Sequence, residues 1–129
     1  MMKTKLILAT ALVALSTAAT ASPAAAWDLI GVRDVKDRVE ADVVVVEGHK
    51  HYARIKLCVY RHPVHFYDLD VNFHNGGHQD VQVRSRINAG ECTRNIDLDG
   101  GDRDINTIKI VYEETSILRR HATVRIFAE

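Results

Sequence analysis

The sequence predicts an all-β protein: a single small antiparallel β-sandwich of seven or eight strands, held by one disulfide. Three observations carry this. Beyond residue 26 apolar and polar side chains alternate with period two, as they do on strands that bury one face. Gly, Asn and Asp punctuate the alternation at short intervals, which suits tight connections between strands. No segment shows the i, i+3, i+4 recurrence of an amphipathic helix.

Val39, Ala41, Val43 and Val45 fall on one face of the first predicted strand. Val44 and Val46 thicken its other face, which predicts a central place in a sheet. Gly48 ends the run. Ala53, Ile55, Leu57 and Val59 form the buried face of a second strand, opposite Arg54, Lys56, Cys58 and Tyr60, and Pro63 borders it because proline cannot donate to a ladder. In the third strand the parity of Tyr67, Leu69, Val71 and Phe73 predicts a core face. Phe66, Asp68, Asp70 and Asn72 then face solvent, which leaves Phe66 as an aromatic platform for a glycan. Asn75-Gly76-Gly77 supplies the positive φ angles of a hairpin turn, and Val81, Val83, Ser85 and Ile87 alternate on the return. Ala89-Gly90-Glu91 ends that strand.

Ile96 and Leu98 share the next face, and Gly100-Gly101 reads as a two-residue hairpin turn leading to Ile105, Ile108, Ile110 and Tyr112. Ile105 and Ile108 have opposite parity, so both can be buried only if Asn106 or Thr107 forms a β-bulge. Residues 113–120 lack alternation and read as a loop. The last strand sets Ala122, Val124 and Ile126 against Thr123, Arg125 and Phe127.

Residues 1–26 read as a secretory signal. Lys3 and Lys5 precede an apolar run over residues 6–15, and Ala24 and Ala26 stand at the spacing read by signal peptidase, so the mature chain is expected to start at Trp27. Trp27 is expected to be anchored in the sandwich. Residues 27–129 are then one domain of about 100 residues, with no later run apolar enough to span a bilayer. The 17 basic and 17 acidic residues are interspersed, and the two lysines of the leader leave with it. A weakly acidic chain without a basic patch excludes nucleic acid and a polybasic membrane anchor. Export to the periplasm or beyond makes a disulfide the default for Cys58 and Cys92, the only two cysteines.

The segments Gly31-Val32-Arg33-Asp34, Ile55-Lys56-Leu57-Cys58, Asp68-Leu69-Asp70-Val71, Asn75-Gly76, Val81-Gln82-Val83-Arg84-Ser85, Gly90-Glu91-Cys92-Thr93-Arg94-Asn95-Ile96-Asp97-Leu98, Gly100-Gly101-Asp102-Arg103 and Ala122-Thr123-Val124-Arg125-Ile126 run through nearly the whole mature chain. Together they resemble the domain-of-unknown-function 2541 family of small exported bacterial proteins. The resemblance implies an exported β-rich domain whose pattern includes both cysteine segments. It carries no catalytic residues.

Two clusters could bind metal. If Gly100-Gly101 joins a ribbon, Asp97 faces Asp104 and Asp99 faces Asp102, four carboxylates on one side that a hard cation such as Ca²⁺ would neutralise. The competing reading is a solvated acidic turn balanced by Arg94 and Arg103. Among the seven histidines, His74 and His78 bracket the Asn75-Gly76-Gly77 turn, where two imidazoles could hold Zn²⁺, Cu²⁺ or Ni²⁺ if further ligands converge. The competing reading is exposed polar positions beside a turn. His49 and His51 share a face. Ser85 and Ser116 sit in no nucleophile motif, so no enzyme is expected. The leading expectation is a non-catalytic envelope binding module, monomeric or weakly dimeric, with an envelope protein or glycan as partner. The alternatives are a metal-binding protein at either cluster and a small secreted inhibitor of an envelope enzyme.

Overall fold

The computed structural model describes residues 26–35, 40–114 and 121–129. The expected leader, apart from residue 26, lies outside the described residues, as do Val39 and most of the 113–120 segment. The described residues form no helix and nine strands: β1 (Asp28–Val35), β2 (Glu40–Val45), β3 (His51–Tyr52), β4 (Arg54–Tyr60), β5 (Val64–Phe73), β6 (His78–Ile87), β7 (Ile96–Asp97), β8 (Arg103–Glu114) and β9 (Ala122–Ala128). One antiparallel sheet has the order β1-β9-β4-β7, the other β2-β8-β5-β6, with β3 also paired to β8. The inner faces meet in one core built on Ile55, Leu57 and Val59 of β4, Leu69 and Val71 of β5, Ile108 and Ile110 of β8, and Val124 and Ile126 of β9. The expected two-sheet sandwich is present, and its disulfide joins Cys58 to Cys92.

Several expected faces and placements are corrected. β2 is an edge strand, not a central one, and Val44 within it and Val46 just beyond it are buried, while Val43 and Val45 are 49 % and 63 % exposed. The parity of Val39, Ala41, Val43 and Val45 gave the wrong face, because Val44 is buried on the same row as Glu40 and Asp42. Both carboxylates lie on the inner row, where the hydroxyl of buried Tyr112 reaches Asp42 Oδ2 at 2.7 Å and Glu40 Oε2 at 3.3 Å. Burial, then Asp42, raises the Tyr112 pKa far above its ordinary value.

Phe66 is fully buried and Tyr67 is not, the reverse of the parity reading, so Phe66 offers no platform. A register shift between Phe66 and Asp68 inserts Tyr67 as an extra residue against β8, and Arg84 takes φ 45° on the β6 side. A bulge reverses parity, so counting back from Leu69 gave the wrong face. The Tyr67 hydroxyl instead donates to Glu113 at 2.7 Å, and Glu113 and Glu114 belong to β8, not to a loop. Trp27 lies on the outer face of β4, with the Lys56 ammonium 4.3 Å over its ring, and takes no part in the core.

The bulge expected in β8 is present at Asn106, since Asn72 pairs with Thr107 and Phe73 with Ile105. Ile105 and Ile108 are both buried as a result. Gly100-Gly101 does not close a hairpin. β7 pairs with β4 and β8 lies in the other sheet, so the turn carries the chain across the sandwich. β1 has little alternation, with only Val35 buried, which is why periodicity did not reveal it.

Candidate metal centre

The start of β8, the end of β5 and the β3 segment meet at one end of the larger sheet. β3 pairs with β8 so that His51 stands opposite Asp104 and Tyr52 opposite Arg103. On the other side of β8, the His74 backbone amide donates to the Asp104 carbonyl at 3.0 Å. Asp104 is thus flanked by histidine segments from both directions.

Alternation along the chain sorts the side chains of the β3 segment. Lys50 and Tyr52 point to Asp28, with Lys50 Nζ 2.6 Å and the Tyr52 hydroxyl 3.0 Å from Asp28 Oδ2. Those two hydrogen bonds lower the Asp28 pKa, while burial, reinforced by Asp28, raises that of Tyr52. His49 and His51 are left for the opposite face. There His49 Nδ1 lies 3.0 Å from Asp104 Oδ2, and His51 Nδ1 lies 3.2 Å from Asp102 Oδ1. Imidazoles and carboxylates therefore interdigitate across the two strands, each histidine reaching a carboxylate diagonal to it.

His74 completes the group. Its Nε2 stands 3.7 Å from Asp104 Oδ1, and its ring centroid is 4.7 Å from that of His49. The ligand atoms of His49, His74 and Asp104 lie within 4.8 Å of one another. Donors about 2.0–2.2 Å from a tetrahedral zinc stand roughly 3.3–3.6 Å apart, so a small ring rotation closes the set. His49, with its side chain 77 % exposed, is free to make that rotation.

Asp104 itself is largely buried, its side chain 19 % exposed, and its Oδ1 receives no hydrogen bond among the described residues. A 3.7 Å separation from His74 is too long for one. A buried carboxylate oxygen without a donor is costly, and a cation would satisfy it. The neighbouring Arg103 does not serve. Its guanidinium lies 3.7 Å over the Phe73 ring and donates to the Asp99 carbonyl at 2.8 Å and to Asn75 Oδ1 at 3.1 Å. Arg103 thereby joins the two turns beside the site. A groove of about 340 Å³ opens here, lined by His51, His74, Asn75, Asp102, Arg103 and Asp104.

The residues expected from sequence are distributed differently. The Asn75-Gly76-Gly77 turn forms, with the Gly76 amide bonded to the Phe73 carbonyl, but His74 and His78 part company across it. His78 joins Asp70 and Asp80 in a second trio on the outer face of β5 and β6, its Nε2 3.9 Å from Asp80 Oδ2. Asp70 pairs with Lys109 on its other side, which places a countercharge beside that trio. Nor do the four aspartates form one group. Asp97 pairs with Arg54 of β4, and the Gln79 side chain holds this stretch by donating to the Asp97 carbonyl and accepting from the Asp99 amide. Asp102 and Asp104 alone face the histidines. Two pairs two residues apart, His49/His51 and Asp102/Asp104, were the available signal, but it needed the β3–β8 pairing to be read.

Fold and cluster together define a disulfide-bonded β-sandwich with a mixed imidazole and carboxylate set at one end. The chain belongs to the family described as Domain of unknown function (DUF2541), which it matches over residues 6–128. No curated protein matches it. Among solved structures it is similar to Pseudomonas aeruginosa AlgX, with 14 % identity and a TM-score of 0.47 over 79 % of this chain. The chain spans only 27 % of the length of that structure.

Proposed function

We propose that this domain is an exported, non-catalytic binding module whose ligand is a divalent transition-metal ion held by His49, His74 and Asp104. One observation carries the reading: two imidazoles from separate parts of the chain flank a largely buried carboxylate with an unbonded oxygen. Such a nitrogen-rich set suits Zn²⁺, Cu²⁺ or Ni²⁺ over Ca²⁺ and Mg²⁺, which take oxygen ligands. The disulfide supports an oxidising compartment, where these ions meet no pool of reduced thiols.

The test is calorimetric titration of tag-free, metal-stripped protein with Zn²⁺, Cu²⁺, Ni²⁺ and Ca²⁺. One equivalent of a transition metal should bind, and His74→Ala or Asp104→Asn should abolish binding without changing the far-ultraviolet spectrum. At a free concentration 100 times its Kd the metal should add about 2.7 kcal/mol of stability. Absence of saturable binding at submillimolar metal, or binding indifferent to both variants, overturns the reading.

The exposed Val43 and Val45 on edge strand β2 favour a second reading, contact with an envelope protein. Capture of a partner from envelope extract, lost in Val45→Lys, is its test.

A further inference from the structure

We propose that His51 is the fourth ligand of this centre, giving a closed site of three imidazoles and one carboxylate. The inference rests on the metal reading above and specifies its coordination. His51 occupies the ladder position opposite Asp104, and side chains so paired have Cβ atoms about 4.5–5.5 Å apart. It also lines the same groove as His74 and Asp104. Its face is fixed from behind, because Lys50 and Tyr52 on either side are tied to Asp28.

The imidazole is turned toward Asp102 in this structure and reaches the metal by rotating about its side-chain bonds. That rotation costs little. The side chains of His51 and Asp102 are 54 % and 78 % exposed, and a contact between groups so exposed to water contributes little. Released from Asp102, His51 brings its imidazole over the groove beside His74. Four protein ligands in a tetrahedral arrangement are the mark of a structural or storage site, whereas catalytic zinc retains an open position. A His51 ligand therefore fits the non-catalytic reading of this site.

Titration with Zn²⁺ and Co²⁺ of the wild-type protein, His51→Ala, His51→Gln and Asp102→Asn decides it. The wild type with Co²⁺ should show the intense visible bands of a four-coordinate nitrogen and oxygen set. Both His51 variants should weaken Zn²⁺ binding by about 100-fold or more and lose those bands, a larger effect than the roughly 10–100-fold typical of groups that only orient a ligand. Asp102→Asn, which frees the imidazole, should bind at least as tightly as the wild type. If the wild type binds Zn²⁺ and both His51 variants stay within about tenfold of it, with unchanged cobalt spectra, the fourth-ligand assignment fails while the three-residue site stands. If the wild type binds no metal, both proposals fall together. Far-ultraviolet circular dichroism of each variant separates loss of a ligand from loss of the fold.

Discussion

Replacing Cys58 and Cys92 together by alanine should cost about 3–4 kcal/mol of stability. The bridge closes a separation of 34 residues, and in the loop-entropy relation that length removes about 3.8 kcal/mol of freedom from the unfolded chain at 25 °C. The native state should survive the loss of the bond. The strap that carries Cys92 is also held to β4 by backbone bonds from the Gly90 amide to Val59 and the Thr93 amide to Leu57, and by the Thr93 hydroxyl accepting from the Leu57 amide. The change should therefore appear through the unfolded state. Urea denaturation of the double variant, and of the wild type with reductant, should give midpoints lowered by the same amount, and the melting temperature should fall by roughly 15–30 °C. A loss below about 1 kcal/mol would refute the reasoning, because it would mean that the unfolded chain is already restricted between these positions without the bond.

The bulge in β5 predicts that Phe66→Ala costs about 3–5 kcal/mol while Tyr67→Ala costs about 1 kcal/mol, measured by chemical denaturation, and equal losses would restore the parity reading. Gly31→Ala should cost about 1–3 kcal/mol, because a Cβ there would stand 2.5 Å from Val44 Cγ1, and the further change Val44→Ala should recover part of it in a double-mutant cycle. Tyr112→Phe should cost about 1.5 kcal/mol at neutral pH through the lost bond to Asp42. Since the folded state holds that hydroxyl protonated, its contribution is intact below about pH 10 and declines above it, where the unfolded tyrosine ionises, so wild type and variant should converge in alkaline denaturation curves.

Period-two alternation made most of the sandwich legible, because strands such as β4 and β9 set an alternating row of aliphatic side chains into the core. It failed where a second constraint sets the face. At β2 two carboxylates that look like solvent residues are drawn inward by a tyrosine distant in sequence, and at β5 an inserted residue reverses the count. The β8 bulge was legible because Ile105 and Ile108, both plainly core residues, could not otherwise be buried together. Of the candidate centre, His74 and Asp104 were visible as chemically capable residues, but their company was wrong in both cases. Local turns suggested that His74 meets His78 and that Asp104 meets Asp97. Their neighbours are instead set by the β3–β8 pairing and by the passage of residues 98–101 between sheets, which no short-range pattern encodes.

The pairing of β9 with both β1 and β4 bears on the order of assembly. Among the described strands β1 has no other ladder partner, and β4 has only the two-residue β7, until residues 122–128 have been made. The smaller sheet must therefore wait for residues 122–128 to emerge, and contacts this far apart in sequence form slowly. A nascent chain lacking that stretch has no means of completing its smaller sheet, so truncations before Ala122 should yield a chain open to proteases, not a reduced version of the domain.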